Sequence, residues 1–131
     1  MITRFGLIWT DDFAKNAAGA LDCKNKKIRK LIDRDGKPLV RHDVHVEDAI
    51  QGILLSLQKD EAVGQDFIFA SPTPYSTSQL CDIVSRKYDY PIEKIKTDYY
   101  SWTLDSSKAN SILGYYPQVN LLRWLENKLN E

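Results

Sequence analysis

The sequence has no excess charge of either sign: 18 Lys and Arg balance 18 Asp and Glu over 131 residues. That balance excludes a general nucleic-acid binder, which carries a clear basic excess. Cysteine is scarce. Cys23 and Cys81 are the only two, no C-x-x-C occurs, and the expectation is two reduced thiols rather than a disulfide framework or a zinc ribbon. Long apolar runs are missing as well. The best, from Ile53 to Leu57, belongs to an amphipathic pattern, so no membrane span is expected. Nothing near the start reads as a secretory signal, and a cytoplasmic location is the expectation. The six glycines form no G-x-G-x-x-G, G-x-x-G-x-x-G or P-loop, and neither G-x-S-x-G nor H-E-x-x-H is present. Dinucleotide and serine-hydrolase chemistry therefore lack their usual scaffolds. The length leaves no room for a dinucleotide domain plus a substrate domain. What is present is 43% hydrophobic and 11% aromatic, enough for a core and inconsistent with disorder.

Along the chain, Ile2 to Trp9 reads as a buried strand, and Asp11 to Cys23 as loop or short helix. Asn25 to Asp33 places Ile28, Leu31 and Ile32 at helical spacing. Asp35-Gly36-Lys37-Pro38 is a turn signal, because glycine accepts the positive φ the turn needs and proline fixes the next one. Leu39 to His45 reads as a short strand. The strongest helix runs from Val46 to Gln58, with Val46, Ala49, Ile50, Ile53, Leu54 and Leu57 on one face and Glu47 and Asp48 in the first turn. Asp66 to Ala70 is a compact strand. Ser76 and Gln79 form a capping box at the start of a helix to Tyr88, and Pro91 to Thr97 is extended. Asp105 can cap a helix that ends at Leu113, with Gly114 at the left-handed position beyond it. Asn120 to Asn130 closes the chain as an amphipathic helix. The alternation of strand and helix predicts an α/β fold in a single domain over 1–131.

Three polar features invite chemistry. Eight basic residues fall between Lys24 and Arg41, against Asp33 and Asp35; such a run reads first as a solvated helix face and second as an anion site. Arg41-His42-Asp43-Val44-His45-Val46-Glu47-Asp48 is the densest polar cluster. In a strand, however, His42 and His45 point to opposite faces, which argues against a metal site. Tyr90 and Lys94 match Y-x-x-x-K, but Pro91 disfavours a helical Tyr90, so the match reads as accidental.

Arg41 to Leu57 (RHDVHVEDAIQGILLSL) resembles the R-D-x-x-H-V-x-D-x-A passage of the extended short-chain dehydrogenases, the NAD-dependent epimerase/dehydratase family of nucleotide-sugar enzymes. Gly64 to Val84 resembles the family's next unit. Trp102 to Pro117 (WTLDSSKANSILGYYP) resembles its D-x-S-K-A-x-x-x-L-G-[WY]-x-P signature. Arg4 to Trp9 is similar, more weakly, to the strand after the catalytic helix. The ordered matches cover about residues 36–131.

This resemblance implies the C-terminal part of an extended short-chain dehydrogenase: a few strands and four to five helices, without the dinucleotide-binding half. It implies a phosphate contact for Arg41, since the family's arginine at that position meets the substrate diphosphate and a guanidinium fork suits it. Asp105 and Lys108 match family positions but read as a helix cap and first turn. The second phosphate-binding arginine of many epimerases has no counterpart in Thr97-Asp98-Tyr99-Tyr100. The family's catalytic Ser/Thr, Tyr-x-x-x-Lys and acidic ribose ligand have no counterpart either.

The expectations are therefore a truncated or split epimerase/dehydratase-like protein that holds a sugar or nucleotide-sugar ligand and is not catalytic alone. No catalytic, cofactor or metal residue is expected within the chain; NAD(P) belongs to the complete family enzyme. A homodimer or a dinucleotide-binding partner is expected, and neither nucleic acid nor membrane. The alternative is a non-catalytic ligand-binding or subunit-association module.

Overall fold

In chain order the computed structural model, which describes residues 1–131, runs β1 (Ile2–Arg4), β2 (Ile8–Trp9), α1 (Asp11–Lys15), β3 (Leu21–Asp22), β4 (Lys27–Ile32), β5 (Val40–Arg41), β6 (Val44–His45), α2 (Val46–Gln58), a 3-10 turn (Asp60–Ala62), β7 (Asp66–Ile68), β8 (Tyr75–Ser76), α3 (Thr77–Tyr88), β9 (Ile92–Lys96), α4 (Ser107–Leu113) and α5 (Leu121–Leu129). The α/β class follows the sequence reading. The chain weaves through two compact units. The first comprises Met1–Trp9, His42–Pro74 and Thr103–Leu121; the second comprises Thr10–Arg41, Tyr75–Trp102 and Leu122–Glu131.

The first unit is built on two short parallel pairs, β1 with β7 and β2 with β6. Its core gathers Phe67, Phe69, Leu113 and Tyr115 with Ala62 and Ala109, and Phe5, Leu55 and Ile112 pack against it. The Phe69 and Tyr115 rings sit tilted at 4.9 Å, a contact worth about 0.5–1.5 kcal/mol beyond its buried area. The Tyr115 hydroxyl donates to Ala70 O at 2.8 Å, so the buried phenol is satisfied. Helix α2 reaches this core through Gly52. A Cβ there would lie 2.6 Å from the Phe69 ring, so only glycine admits the contact.

Two sequence expectations change in this unit. Ile2 to Trp9 is broken into β1 and β2, with Trp9 buried but Ile2 and Ile8 exposed. Helix α2 has the expected limits, but its apolar stripe faces outward. Ile50, Leu54 and Leu57 are 50%, 49% and 69% exposed, while Asp48, Ala49, Gly52 and Ser56 are buried. The small residues let the helix backbone approach Phe69, and that close approach, rather than the apolar stripe, fixes its inner face.

The second unit holds the sheet β3-β4-β9, antiparallel at β3/β4 and parallel at β4/β9, and the short antiparallel pair β5/β8. Here the helix predicted over Asn25–Asp33 is replaced by strand β4. Nine residues make only a marginal helix by themselves, whereas β9, some sixty residues on, offers a five-residue ladder from Ile28↔Ile92 to Ile32↔Lys96. Leu39 to His45, expected as one strand, splits into β5 and β6, which pair with different partners. Helix α3 starts with the predicted capping box. Ser76 Oγ accepts from Gln79 N at 3.2 Å, and Gln79 Oε1 accepts from Ser76 N at 3.0 Å. Thr77 Oγ1 donates to Leu31 O at 2.7 Å, and Cys81 Sγ to Arg29 O at 3.4 Å, which ties α3 to β4. Leu80, Ile83 and Val84 are buried, as the pattern predicts. The Asp33–Pro38 turn forms with Gly36 at φ +83. Asp33 closes it, accepting from Asp35 N, Lys37 N and Ser101 Oγ at 2.9, 3.0 and 2.6 Å. These donors, led by Ser101, hold its carboxyl below the usual range.

Candidate functional site

Four polar residues of the cluster, His42, Asp43, His45 and Asp48, are buried, and each has a structural task, whereas Glu47 is exposed. His42 Nδ1 accepts from Leu104 N at 2.9 Å, so Nε2 carries the proton and donates to Ser71 O at 2.8 Å. Asp43, wholly buried, accepts from the Trp9 indole at 3.0 Å and from Leu7 N at 3.1 Å, which fixes β2. His45 caps α2, its Nδ1 accepting from Glu47 N at 3.1 Å. Asp48 accepts from Gln118 N and Val119 N, both at 2.9 Å. Buried polar groups need partners, and these four find them 29 to 71 residues away or at a helix start. The structure brings no three His, Cys, Asp or Glu together in a metal-holding arrangement.

Arg41 lies outside that set. It is half-buried on β5, in register with Tyr75 of β8. Asp105 accepts from Ser107 N at 2.8 Å, although Ser106 is the capping position of α4. Hydrogen bonds at Ser107 hold the Asp105 carboxyl below its ordinary range. Lys108 pairs with Asp66 at 3.4 Å. Gly114 ends α4 at φ +73 as expected. Tyr90 precedes β9 and Lys94 lies within it, so the two are not on one helix and the Y-x-x-x-K match is without the geometry its chemistry needs.

The basic run from Lys24 to Arg41 is corrected. It is a strand and a turn, not a helix face. Its cations disperse: Lys27 pairs with Glu93 at 3.2 Å, Arg29 donates to Gly19 O at 3.0 Å, and Arg34 stacks over Tyr100 at 4.3 Å. Sequence reasoning missed a cavity of about 690 Å³ beside this segment, lined from β4, the Asp33–Pro38 turn and the end of β9. No local signal could have found it, since its two walls come from segments sixty residues apart.

With this geometry in place, the fold is similar to part of the chain in solved epimerases, dehydratases and other proteins of the short-chain dehydrogenase/reductase class. Neither a family model nor a curated protein sequence matches the chain. Among solved structures, it is similar to a short-chain dehydrogenase/reductase superfamily protein from Agrobacterium tumefaciens with bound NAD, at TM-score 0.72 and 22% identity over 91% of this chain and 38% of that one. It is similar also to dTDP-glucose 4,6-dehydratase from Bacillus anthracis in complex with NAD, at TM-score 0.69 and 17% identity over 98% and 42%. UDP-glucuronic acid 4-epimerase from Bacillus cereus, in complex with UDP-glucuronic acid and NAD, matches at TM-score 0.66 and 20% identity over 99% and 44%. The chain thus spans about two-fifths of the length of these proteins.

Proposed function

We propose that this chain is the substrate-binding portion of an epimerase/dehydratase-like enzyme of sugars or sugar nucleotides, and that it works with a dinucleotide-binding half supplied elsewhere. Arg41 contacts the phosphate of the substrate, and NAD(P) is held by the other half. The observation that carries this reading is the first unit's uncovered apolar surface. Ile50, Ile53, Leu54 and Leu57 on α2, with Met1, Ile2, Leu7, Ile8 and Val63, are all exposed. Parallel strands occur almost only in sheets covered on both faces, and a two-stranded pair is marginal by itself. The parallel pairs β1/β7 and β2/β6 therefore have the character of strands in a larger sheet. The solved structures above supply the precedent, since more than half of each of those chains lies outside the match.

The test is capture of the tagged chain from its native host, with assay of the captured material for NAD-dependent turnover of UDP- and dTDP-sugars. The expected result is activity in the captured complex, none in the purified chain, and no micromolar NAD(H) binding by the chain in calorimetry. A Leu54→Glu/Leu57→Glu variant, exposed at both positions, is expected to fold and to lose the partner. Tight NAD(H) binding by the chain alone would sink the proposal. Recovery only as a self-associated chain would favour the subunit-association module instead.

A further inference from the structure

The sheet β3-β4-β9 ends in an open edge. Strand β9 is its last member, bonded to β4 on one side and to no strand on the other. Ile28 N donates to Pro91 O at 2.9 Å, and Thr97 N donates to Ile32 O at 3.0 Å. In a parallel ladder alternate residues turn their backbone groups toward the neighbour, so residues 91, 93, 95 and 97 face β4. The N–H and C=O groups of Ile92, Lys94 and Lys96 therefore point away from the sheet, and all three residues are exposed. A strand with free groups along one side is a template for the addition of another.

Charge decides which strand fits. Lys30 lies directly opposite Lys94, and Lys96 follows opposite Ile32. Ladder partners share a face, as do residues two apart on a strand, so the three ammonium groups rise from one face. None forms an ion pair, although Lys15, Lys27, Lys108 and Lys128 each do. A second copy of the chain is a poor occupant. Antiparallel pairing of β9 with its own copy about a two-fold axis sets Lys94 against Lys94, Glu93 against Glu93, or Lys94 against Lys96, according to register. Edge lysines oppose self-association in this way. A strand with carboxylates opposite Lys94 and Lys96 relieves the repulsion instead. Its residue between them lies on the other face, opposite half-buried Ile95, and is apolar. The next residue, opposite Glu93, is basic or polar.

We propose that the outer edge of β9 is a docking site for an extended acidic segment of a partner protein, added antiparallel as the fourth strand of this sheet. The segment reads acidic, apolar, acidic along three successive residues. Backbone bonds at Ile92, Lys94 and Lys96 hold it, and the ammonium groups of Lys94 and Lys96, with Lys30 behind them, select it over neutral or basic strands. Neither Arg41 nor the exposed face of α2 takes part, so the site stands whether or not the first unit has a partner.

The experiment is titration of the full chain with the capped peptide T-E-V-E-K-V-T at low ionic strength, read by amide chemical shifts and amide hydrogen exchange. Saturable sub-millimolar binding is expected, with affinity that falls with salt. Exchange slows about fivefold or more at the amides of Ile92, Lys94 and Lys96. It changes little at residues 93, 95 and 97, whose amides already bond to β4. The charge-swapped peptide T-K-V-K-E-V-T binds about tenfold or more weakly. Lys94→Glu/Lys96→Glu inverts that preference. Lys59→Glu/Lys87→Glu, the same charge change at exposed positions off the sheet, keeps it. Should the edge variant not fold, Lys96→Glu alone narrows the preference about threefold or more. Absence of saturation into the millimolar range overturns the proposal, as does equal affinity for the two peptides. Shifts centred away from β9 overturn it too. So does slow exchange at 92, 94 and 96 that rises with the concentration of the free chain, which would assign the edge to a second copy.

Discussion

Gly52 shows how much one residue decides. Its missing Cβ is what lets α2 lie on Phe69, and the same glycine in an exposed helix would only weaken it. Gly52→Ala gains about 1 kcal/mol of helix propensity but must displace an aromatic ring in a packed core, which costs about 1–3 kcal/mol and often more. The expected outcome is net destabilisation, seen as a lower denaturant midpoint with an unchanged slope. Cys81 makes a second residue-scale case. Burial pushes its thiol from an ordinary 9.0 up to about 11, so the folded chain keeps this proton at pH values where the unfolded chain loses it. Its contribution is complete below about pH 9 and is lost as pH rises through 11, on the order of 2 kcal/mol. Chemical denaturation between pH 8 and 11 should show that decline, flattened in Cys81→Ala. Exposed Cys23 should react with a thiol reagent in the native chain while Cys81 waits for unfolding. The roles of His42, Asp43 and Asp48 were not legible in the sequence, where they formed one polar cluster. Their partners, Ser71 and Leu104, Trp9, and the Gln118–Val119 backbone, are distant in the chain.

At the scale of elements, local chemistry was read correctly where it is self-contained. The limits of α2, the Ser76–Gln79 capping box, the Asp35–Pro38 turn and the Gly114 stop all depend on residues close to one another in the chain. Ser76→Ala removes the hydroxyl that Gln79 N needs and should cost about 1 kcal/mol, measurable as a Tm decrease with unchanged helix content at low temperature. Elements that depend on a partner were read less well. Lys27–Ile32 carries Ile28, Leu31 and Ile32 at a spacing that a helix and a strand both satisfy in so short a window. The ladder to β9 settles the choice, and neither strand announces the other. The break between β5 and β6 has the same origin, since β8 and β2 draw them into different pairs.

Across the molecule, the two units are each assembled from three separated stretches, and no linker, proline run or change of composition marks the crossings. A boundary runs between Arg41 and His42, inside the segment that most resembles the nucleotide-sugar enzymes. The candidate phosphate ligand Arg41 thus belongs to the second unit, and the stitching residues His42, Asp43, His45 and Asp48 belong to the first. No helix is long and apolar enough to cross a membrane, so the exposed apolar face of α2 is not a bilayer span. The length determined the size, the alternation of strand and helix patterns determined the α/β class, and short-range patterns determined the caps, turns and helix limits. All of these depend on composition or on neighbours along the chain. Tertiary structure alone decided which face of α2 is inside, that Lys27–Ile32 is a strand, and that Lys30, Lys94 and Lys96 share one wall. Each of these depends on contacts between residues far apart in sequence, whose benefit exists only once the intervening chain has closed.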